Sequence, residues 1–378
     1  MIDRNQFMRK IRPFIGTDVI KVITGLRRCG KSIFLEQIKN EIKKLHGDDS
    51  TIVSFNLEDD ENEKFLKKGV LYDHVNRILK KNPKKKVYIF LDEIHDVEGW
   101  ERCVNSLRLR KNADLYITGS NSKLLSGELA TYLTGRYVEI KMTPFSFSEF
   151  LAATDSSETK EDREKQFFRY LDFGGVPFLS HIGYDPDASK DYLKDLYGSI
   201  LLKDVVRRRK IRDGDLLDRI VRYVMNETGH AFSARSISDF FKSEKRIVAP
   251  ETVLNYISAC EEAFLFSRVK RQDLIGKRIL AVDEKYYVSD LGLRRAVIGG
   301  KIAKDIDIAL ENIVYAELIR RGYDVTIGRV RNKEIDFVCD KDGERSFIQV
   351  SYLLASDETK EREYGAFDLI KSRGKRIL

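Results

Sequence analysis

A glycine-rich stretch near the amino terminus restricts the possible folds of this chain more than any other feature. Residues Gly25 to Ser32 read GLRRCGKS and fit the pattern GxxxxGK[ST]. The preceding residues, Val19–Ile23, are typical of a short buried strand, and Ile33–Ile42 has the apolar spacing of an amphipathic helix. A strand, a glycine loop and a helix in this order predict the phosphate-binding loop (P-loop) of an α/β domain.

The positions of this loop suit ATP bound with Mg²⁺. Glycines let backbone N–H groups approach phosphate, and the following helix N-terminus adds partial positive charge. Lys31 is expected to contact the β- and γ-phosphates, and the Ser32 hydroxyl to bind Mg²⁺. A glycine turn without nucleotide is the alternative, but the flanking strand and helix argue against it. The predicted ATP-binding residues are Gly25, Arg27, Arg28, Cys29, Gly30, Lys31, Ser32 and Ile33.

A second part of the site follows a buried strand further along the chain. Val87–Leu91 is an uninterrupted apolar run, as expected for a central parallel strand, and it leads into Asp92 and Glu93. Sheets of this class bind their ligands at the carboxyl ends of the strands. We therefore predict that Asp92 holds Mg²⁺ through water and that Glu93 is the general base for the attacking water. An acidic turn in solvent is the alternative for either residue taken alone.

Two weaker candidates lie downstream. The predicted strand Asp114–Thr118 is followed by Ser120 and Asn121, either of which is suited to sense the γ-phosphate and orient water; a plain turn is the alternative. Arg136 precedes another predicted strand, Val138–Met142. It is a candidate arginine finger, donated across a subunit interface to stabilise charge in the transition state, and a surface arginine in a turn is the alternative.

Length and composition favour a multidomain protein inside the cell. The chain has 378 residues, whereas single domains usually stop growing near ~250–300 residues. The 68 basic and 60 acidic residues give a net charge of +8, which permits a nucleic-acid partner without requiring one. The four cysteines form no CxxC pair, and we find neither a signal peptide nor an apolar run of membrane-spanning length. We therefore expect a cytoplasmic location and no membrane association.

Several longer segments resemble the AAA+ branch of P-loop ATPases. More narrowly, the chain resembles a bacterial and archaeal family with an AAA+ core and a carboxy-terminal domain of largely unassigned function. This resemblance implies ATP binding and hydrolysis but no particular cellular role. The segments that carry it are TGLRRCGKS, VYIFLDEIHDVEGWE, LYITGSNSKLLSGELATYLTGRYVEIKMTPFSFSEFL, LYGSILLKDVVRRRKIRD and the tail from Leu310 to Tyr364.

The middle of the chain predicts a helical connector and then a winged helix. A helix over Ser189–Arg209 ends in the basic run 207–210, which suits either a solvated helix end or a contact with phosphate. Three helices follow, of which the third begins at Pro250, and two strands flank the basic loop Lys277–Arg278 as a wing. In a DNA-binding winged helix the third helix enters the major groove. A lid or a protein-contact module is the alternative.

The carboxy-terminal segment resembles the core of PD-(D/E)XK nucleases. A helical Glu311, a strand Asp336 and Gln349 on the next strand match the metal-binding positions of that fold. Its lysine position, however, is taken by Ser351, which carries no charge; Lys333 is a speculative substitute. The resemblance therefore implies a degenerate nuclease-like domain that docks nucleic acid or protein rather than cutting.

Together these interpretations predict an α/β protein with a parallel-sheet P-loop (AAA+) core and further modules. ATP turnover would drive a winged helix and a nuclease-like module that act on DNA. The alternatives are a nucleotide-dependent switch for a protein partner and an ATP-gated nuclease, and a homo-oligomer is possible in each case. The predicted boundaries are 1–150 for the core, 151–212 for the helical connector, 213–298 for the winged helix and 299–378 for the nuclease-like domain.

Overall fold

The structure is a computed structural model, and it divides into two compact units. It describes residues 2–47, 50–122, 135–154, 159–276, 278–300, 305–353, 364–370 and 373–378. Unit 1 comprises Met1–Asp155 with Glu262–Phe264, and unit 2 comprises Ser156–Glu261 with Leu265–Leu378. Lys277, from the predicted wing loop, lies outside the described residues.

Unit 1 is built on a parallel sheet of five strands in the order β2-β3-β4-β1-β5. Strands β1, β3 and β4 are buried along their whole length because their apolar runs are covered on both faces. This sheet confirms the predicted α/β core. Its strands are β1 (Ile20–Gly25), β2 (Thr51–Asn56), β3 (Val87–Asp92), β4 (Ala113–Gly119) and β5 (Tyr137–Met142).

The helices of unit 1 connect these strands and cover the sheet. Helix α2 begins immediately after the P-loop and buries Phe34, Leu35, Ile38 and Ile42, which recur at helical spacing. The sheet and its helices share one apolar core that includes Ile89, Leu91 and Ile117. The helices are α1 (Asn5–Ile11), α2 (Lys31–His46), α3 (Val70–Lys81), α4 (Trp100–Arg108) and α5 (Phe147–Ala153).

The first part of unit 2 is helical. Helix α7 continues without a break into a π-helix over Ile200–Val206 and a last helical turn, Arg207–Arg209. Helices α8, α9 and α10 correspond in position to the three helices predicted for a winged helix. The helices are α6 (Lys160–Phe173), α7 (Pro186–Ser199), α8 (Gly214–Asn226), α9 (Ala234–Ser243), α10 (Pro250–Glu262), α11 (Leu291–Ile298) and α12 (Ile306–Arg320).

A mixed six-stranded sheet in the order β11-β10-β9-β8-β6-β7 completes unit 2. The two strands predicted as a wing, β6 and β7, belong to it, because Arg271–Asp273 pair in parallel with Ile327–Arg329 of β8. One sheet therefore runs across the boundary predicted at 298/299. The strands are β6 (Phe266–Asp273), β7 (Arg278–Val288), β8 (Asp324–Val330), β9 (Lys333–Lys341), β10 (Glu344–Ile348) and β11 (Lys375–Ile377).

Helix α12 packs on this sheet through an aromatic cluster. Tyr315 of the helix stacks on Tyr287 of β7 with ring centroids 4.4 Å apart, and Phe337 of β9 lies beside both rings. This packing places α12 against β7, which positions the polar cluster described below. Among the described residues, no helix combines the length and apolar character needed to cross a membrane.

Candidate functional site

The P-loop connects the carboxyl end of β1 to α2, at the edge of the sheet where parallel strands end. Gly25 has a φ of 146°, and a Cβ added to it would lie 2.3 Å from the carbonyl oxygen of Met142. Only glycine fits this close approach of two backbones. The tight turn follows directly and brings Lys31 and Ser32 to the first turn of the helix.

Lys31 is buried beneath the loop, and its contacts are few and long. Its Nζ donates to the carbonyl oxygens of Gly25 at 3.2 Å and Leu26 at 3.3 Å, and lies 3.5 Å from Oε1 of Glu93. Neutral carbonyl groups satisfy an ammonium less well than phosphate oxygens do. The lysine is thus buried, charged and loosely held, as a phosphate-binding cation should be.

Asp92 lies at the end of β3 between two hydroxyl groups. Thr118 Oγ1 of the neighbouring strand β4 donates to Asp92 Oδ1, and the Ser32 side chain also hydrogen-bonds this carboxylate. Burial raises the pKa of Asp92, while the hydrogen bonds from Ser32 and Thr118 oppose that rise. The structure therefore brings together the two residues predicted to hold Mg²⁺, whose oxygen donors are the kind that this ion prefers.

Glu93 is held in a strained backbone conformation and is well supported. Its φ is 53°, which is uncommon outside glycine and typical of functional positions. One carboxylate oxygen accepts from the Ser120 N–H at 3.1 Å and lies 3.2 Å from Nδ1 of His95. Burial alone would raise the pKa of Glu93, but the charges of Lys31, His95 and Arg27 outweigh it and lower the pKa. At neutral pH this buried group is therefore a carboxylate.

The other predicted P-loop residues differ in their surroundings. Arg27 pairs with Glu58 at 3.1 Å, and Arg28 has a φ of 65°. Cys29 is fully buried, whereas Ile33 is 49% exposed on the outer side of α2. Asn121 is buried directly after Ser120, the residue that contacts Glu93. These placements keep Asn121 among the candidate residues of the site.

Arg136 is not brought to the P-loop of its own chain. Its carbonyl oxygen accepts from the Ile20 N–H, at the point where β1 and β5 begin. The P-loop follows the other end of β1, where Gly25 is paired with Met142. A strand of this length separates the two ends by roughly 17 Å. Within one chain, Arg136 therefore lies at the opposite edge of the sheet from Glu93.

Two residues that contact Asp92 or Glu93 in this site were not among the predicted site residues. Thr118 contacts Asp92 through its hydroxyl and also accepts the Glu93 N–H at 2.9 Å. His95 flanks Glu93 from a short 3₁₀ turn. A polar residue that ends an otherwise apolar strand was the available signal for Thr118, and a histidine two positions after Glu93 was the signal for His95.

In unit 2 the predicted residues Glu311, Asp336 and Gln349 do meet. The Asp336 N–H donates to Gln349 Oε1 at 3.2 Å, and Asp336 Oδ2 accepts from the Val350 N–H at 2.7 Å. Burial raises the pKa of Asp336 to about 7, and the negative charge of Glu311 adds to the rise. Ser351 instead donates weakly to the Leu353 carbonyl oxygen at 3.4 Å.

The ammonium in this cluster comes from Lys285 of β7, one of the two strands predicted to form a wing. Its Nζ lies 2.9 Å from Glu311 and 2.7 Å from Glu334. Burial alone would lower the pKa of Lys285, but these two carboxylates outweigh it and raise the pKa. Tyr287 also donates to Glu311 at 2.5 Å, and Arg271 lies 3.3 Å from Glu334. We call this set the Lys285 cluster.

The Lys285 cluster is internally neutralised. Lys333, the substitute lysine suggested by the sequence, has its ammonium next to Gly365 instead. Within the ranges that the structure describes, no group of three or more histidine, cysteine, aspartate or glutamate side chains is arranged to hold a metal ion. The metal-binding role of Glu311, Asp336 and Gln349 therefore stays a prediction.

Comparisons with known proteins agree with the architecture of unit 1. Residues 17–151 match the model of the AAA domain, and residues 164–303 match a domain of unknown function (DUF8612). The solved structure of a Walker-type ATPase of Pyrococcus abyssi aligns with a TM-score of 0.53 and 14% identity, over 79% of this chain and 96% of that one. At this identity the likeness shows the fold alone.

Two relatives extend over nearly the whole chain. An uncharacterised protein of Haemophilus influenzae is 37% identical over 380 residues, which cover 100% of this chain and 93% of the relative. An uncharacterised protein of Methanocaldococcus jannaschii is 31% identical over 365 residues, covering 92% of this chain and 78% of the relative. The chain therefore belongs to the same family as these two proteins, and its unit 1 is a P-loop domain of the AAA type.

Proposed function

We propose that unit 1 binds and hydrolyses ATP with Mg²⁺. The observation that carries this proposal is the convergence of Lys31, the Ser32–Asp92 pair and an ionised, buried Glu93 at the carboxyl edge of a parallel sheet. A cation for phosphate, oxygen donors for magnesium and a base for water are the parts that ATP hydrolysis requires. These parts converge from the P-loop and β3.

The donor set fits Mg-ATP. The partners of Lys31 are two loop carbonyl oxygens and Glu93, so phosphate oxygens would be better partners for its charge. Ser32 and Asp92 supply the hydroxyl and carboxylate oxygens that would hold magnesium, which neutralises phosphate charge when bound. Glu93, kept ionised by its neighbours, accepts the proton of the attacking water. Asn121 and Ser120 orient that water, and Arg136 acts from a second copy if the chain assembles.

We further propose that ATP turnover is coupled to an action of unit 2 on DNA. The support is a strongly basic helix end, defined as residues 200–212. Lys203, Arg207, Lys210 and Arg212 are exposed there, and in the described part of the chain they form no ion pair. The partial negative charge at a helix C-terminus is only about half an elementary charge, so it cannot balance four cations. Phosphate groups are their natural partners, because arginine and lysine bind them through charge-assisted hydrogen bonds.

The basic helix end includes the π-helical segment Ile200–Val206. Lys203 and Arg207 are four residues apart, a spacing that puts both on nearly the same face of a helix. Arg208 turns inward instead and pairs at 3.3 Å with Asp204, which is buried. This half-buried pair anchors the helix end, while the exposed cations face solvent. π-helical segments occur frequently at functional sites.

We propose that the Lys285 cluster does not cleave nucleic acid. Lys285 and Arg271 already neutralise Glu311 and Glu334, so the carboxylates do not fit a metal ion as they stand. We therefore derive no cleavage step from this cluster. A plasmid incubated with the protein in Mg²⁺ or Mn²⁺ should stay intact. Cutting that disappears in Asp336→Asn would overturn this part of the proposal and favour the ATP-gated nuclease.

The test of the proposed function is a titration of ATP turnover with duplex DNA, with Glu93→Gln as the inactive control. Arg207→Gln/Lys210→Gln removes two charges from the basic helix end. Lys84→Gln/Lys85→Gln removes two exposed charges from unit 1 and is the matched control. We expect DNA to stimulate the wild type and the control equally. We expect the helix-end variant to bind DNA about tenfold more weakly, with a salt slope smaller by about 2.

Two outcomes would change this account in different ways. An ATPase that ignores DNA while Glu93→Gln abolishes its turnover leaves the ATP proposal intact and favours a protein partner. DNA stimulation lost equally in the helix-end variant and in the matched control would show that net charge alone matters. In that case the basic helix end has no special role.

A further inference from the structure

Arg4, in the segment before α1, is a buried arginine that contacts the P-loop from behind. It is 3% exposed, and its Nη1 donates to the carbonyl oxygen of Cys29 at 3.2 Å. Its Nη2 donates to the Thr143 carbonyl oxygen at 2.5 Å, and its Nε lies 3.0 Å from Glu149. The guanidinium thus joins three parts of unit 1: the P-loop, the turn after β5 and helix α5.

The position of Arg4 is itself fixed on several sides. Its backbone N–H donates to Gln37 of α2 at 3.1 Å, and Gln37 in turn donates to the Ile2 carbonyl oxygen at 2.7 Å. The guanidinium carbon lies 4.9 Å from the ring centre of Phe7 and 5.2 Å from that of Phe145. A planar guanidinium held between aromatic rings and bonded along its edges has little freedom to reorient.

The bond to Cys29 has a consequence for the phosphate cradle. The Cys29 carbonyl and the Gly30 N–H belong to one planar peptide, in which they point in opposite directions. When Arg4 draws the carbonyl oxygen toward itself, the Gly30 N–H must point to the other side of the loop. P-loops bind phosphate through N–H groups that point into the cradle, and a carbonyl oxygen turned inward would repel it.

We propose that Arg4 is a positioning residue that orients the Cys29–Gly30 peptide for phosphate binding. This inference rests on the proposed binding of ATP at the P-loop. Arg4 acts through the backbone of the loop, and the short segment before α1 is thereby part of the nucleotide site. Because the same oriented N–H would serve substrate and transition state alike, its loss should weaken binding more than it slows the chemical step.

The test compares Arg4→Gln with a variant that is destabilised elsewhere. Asp114→Asn is the matched control, because Asp114 forms a fully buried ion pair with Lys21 in the same sheet, near the edge opposite the P-loop. Binding of the fluorescent nucleotide mant-ATP gives Kd, steady-state turnover gives KM and kcat, and thermal melting reports stability. For Arg4→Gln we expect Kd and KM to rise about tenfold with kcat changed much less. Asp114→Asn should lower Tm and leave Kd and KM unchanged.

A conservative variant keeps the test decisive. Arg4→Lys retains the charge but has one donor group for three separated acceptors, so it should bind mant-ATP with an intermediate Kd. A folded Arg4→Gln with the wild-type Kd would overturn the inference. The inference would also be overturned if Arg4→Gln failed to fold and Arg4→Lys bound mant-ATP with the wild-type Kd. In that case the role of Arg4 would be structural only. A wild type that does not bind mant-ATP would instead remove the proposed function itself.

Discussion

Each unit buries a lysine beside carboxylates, but the two lysines are held in different ways. In unit 1, Lys31 lies 3.5 Å from Glu93 and donates to the carbonyl oxygens of Gly25 and Leu26 in the loop. In unit 2, Lys285 makes closer contacts, at 2.9 Å to Glu311 and 2.7 Å to Glu334. The first arrangement leaves a charge available for a ligand, whereas the second neutralises its charges internally. Buried polar groups can thus mark a binding site in one unit and a structural cluster in the other.

The origin of the residues differs as well. The charged groups of the unit 1 site come from the P-loop after β1 and from the end of β3, which lie on either side of β4 in the sheet. The Lys285 cluster draws its residues from four separate elements, namely Lys285 and Tyr287 from β7, Glu311 from α12, Glu334 from β9 and Arg271 from β6. A short motif that holds a buried charge without a close partner is characteristic of a ligand-binding site. A cluster assembled from distant segments depends on the whole sheet being formed.

The largest expected effect is on nucleotide affinity, which should distinguish the two buried lysines. Lys31→Ala should weaken mant-ATP binding on the order of a hundredfold, because phosphate loses a charge-assisted partner in a buried loop. Lys285→Ala should leave the affinity for mant-ATP unchanged, since Lys285 belongs to unit 2. Equilibrium fluorescence titration measures both. Equal affinities for Lys31→Ala and the wild type would remove the P-loop assignment.

Stability should show the reverse pattern. Lys285→Met should lower the free energy of unfolding by about 3 kcal/mol, because it leaves Glu311 and Glu334 without their cation. Lys31→Met should cost much less, since Glu93 keeps its contacts with Ser120 and His95. Urea unfolding followed by circular dichroism reports both units, while Trp100, the one tryptophan of the chain, reports unit 1. Similar losses in the two variants would refute the contrast.

Two aspartates of unit 2 should make the stability of the chain depend on pH. The pKa of Asp336 is about 7 in the folded chain and that of Asp290 about 6, against an ordinary value of 3.8. Groups with a raised pKa hold a proton that the unfolded chain has already released. The free energy of unfolding should therefore fall as pH rises from about 4 to about 7. Asp336→Asn can still accept the Val350 N–H, and it should make stability fall less steeply with pH. Thermal melting at a series of pH values measures this slope. The same slope in the variant and in the wild type would contradict the prediction.

The smallest expected effect concerns Arg136. Because it lies at the sheet edge opposite the P-loop, Arg136→Ala should not change turnover of the isolated chain. Turnover measured over a range of protein concentrations would reveal a role in an assembly, as a loss that appears only when the chains associate. A loss at every concentration would show that Arg136 reaches the site within its own chain.

The comparison also shows which features the sequence could predict. The core of unit 1 was predictable because its motifs are local: GLRRCGKS lies between a strand and a helix, and an apolar run leads into Asp92 and Glu93. Lys285 could not be found this way, since its role appears only once β6 pairs with β8 and α12 packs on β7. The strands taken for a wing have the same local pattern as strands of a larger sheet. Arg4 lacked any local signal, because the polar partners of its guanidinium lie 25 to 145 positions away.

The measurement that tests the central claim most directly is steady-state phosphate release from Mg-ATP by the purified chain and by Glu93→Gln. We predict turnover by the wild type, and in Glu93→Gln a rate lower by a factor on the order of 10² or more with mant-ATP binding retained. This result would place the base of the reaction at Glu93. Equal rates for the two proteins, or no phosphate release from a wild type that binds nucleotide, would contradict the account.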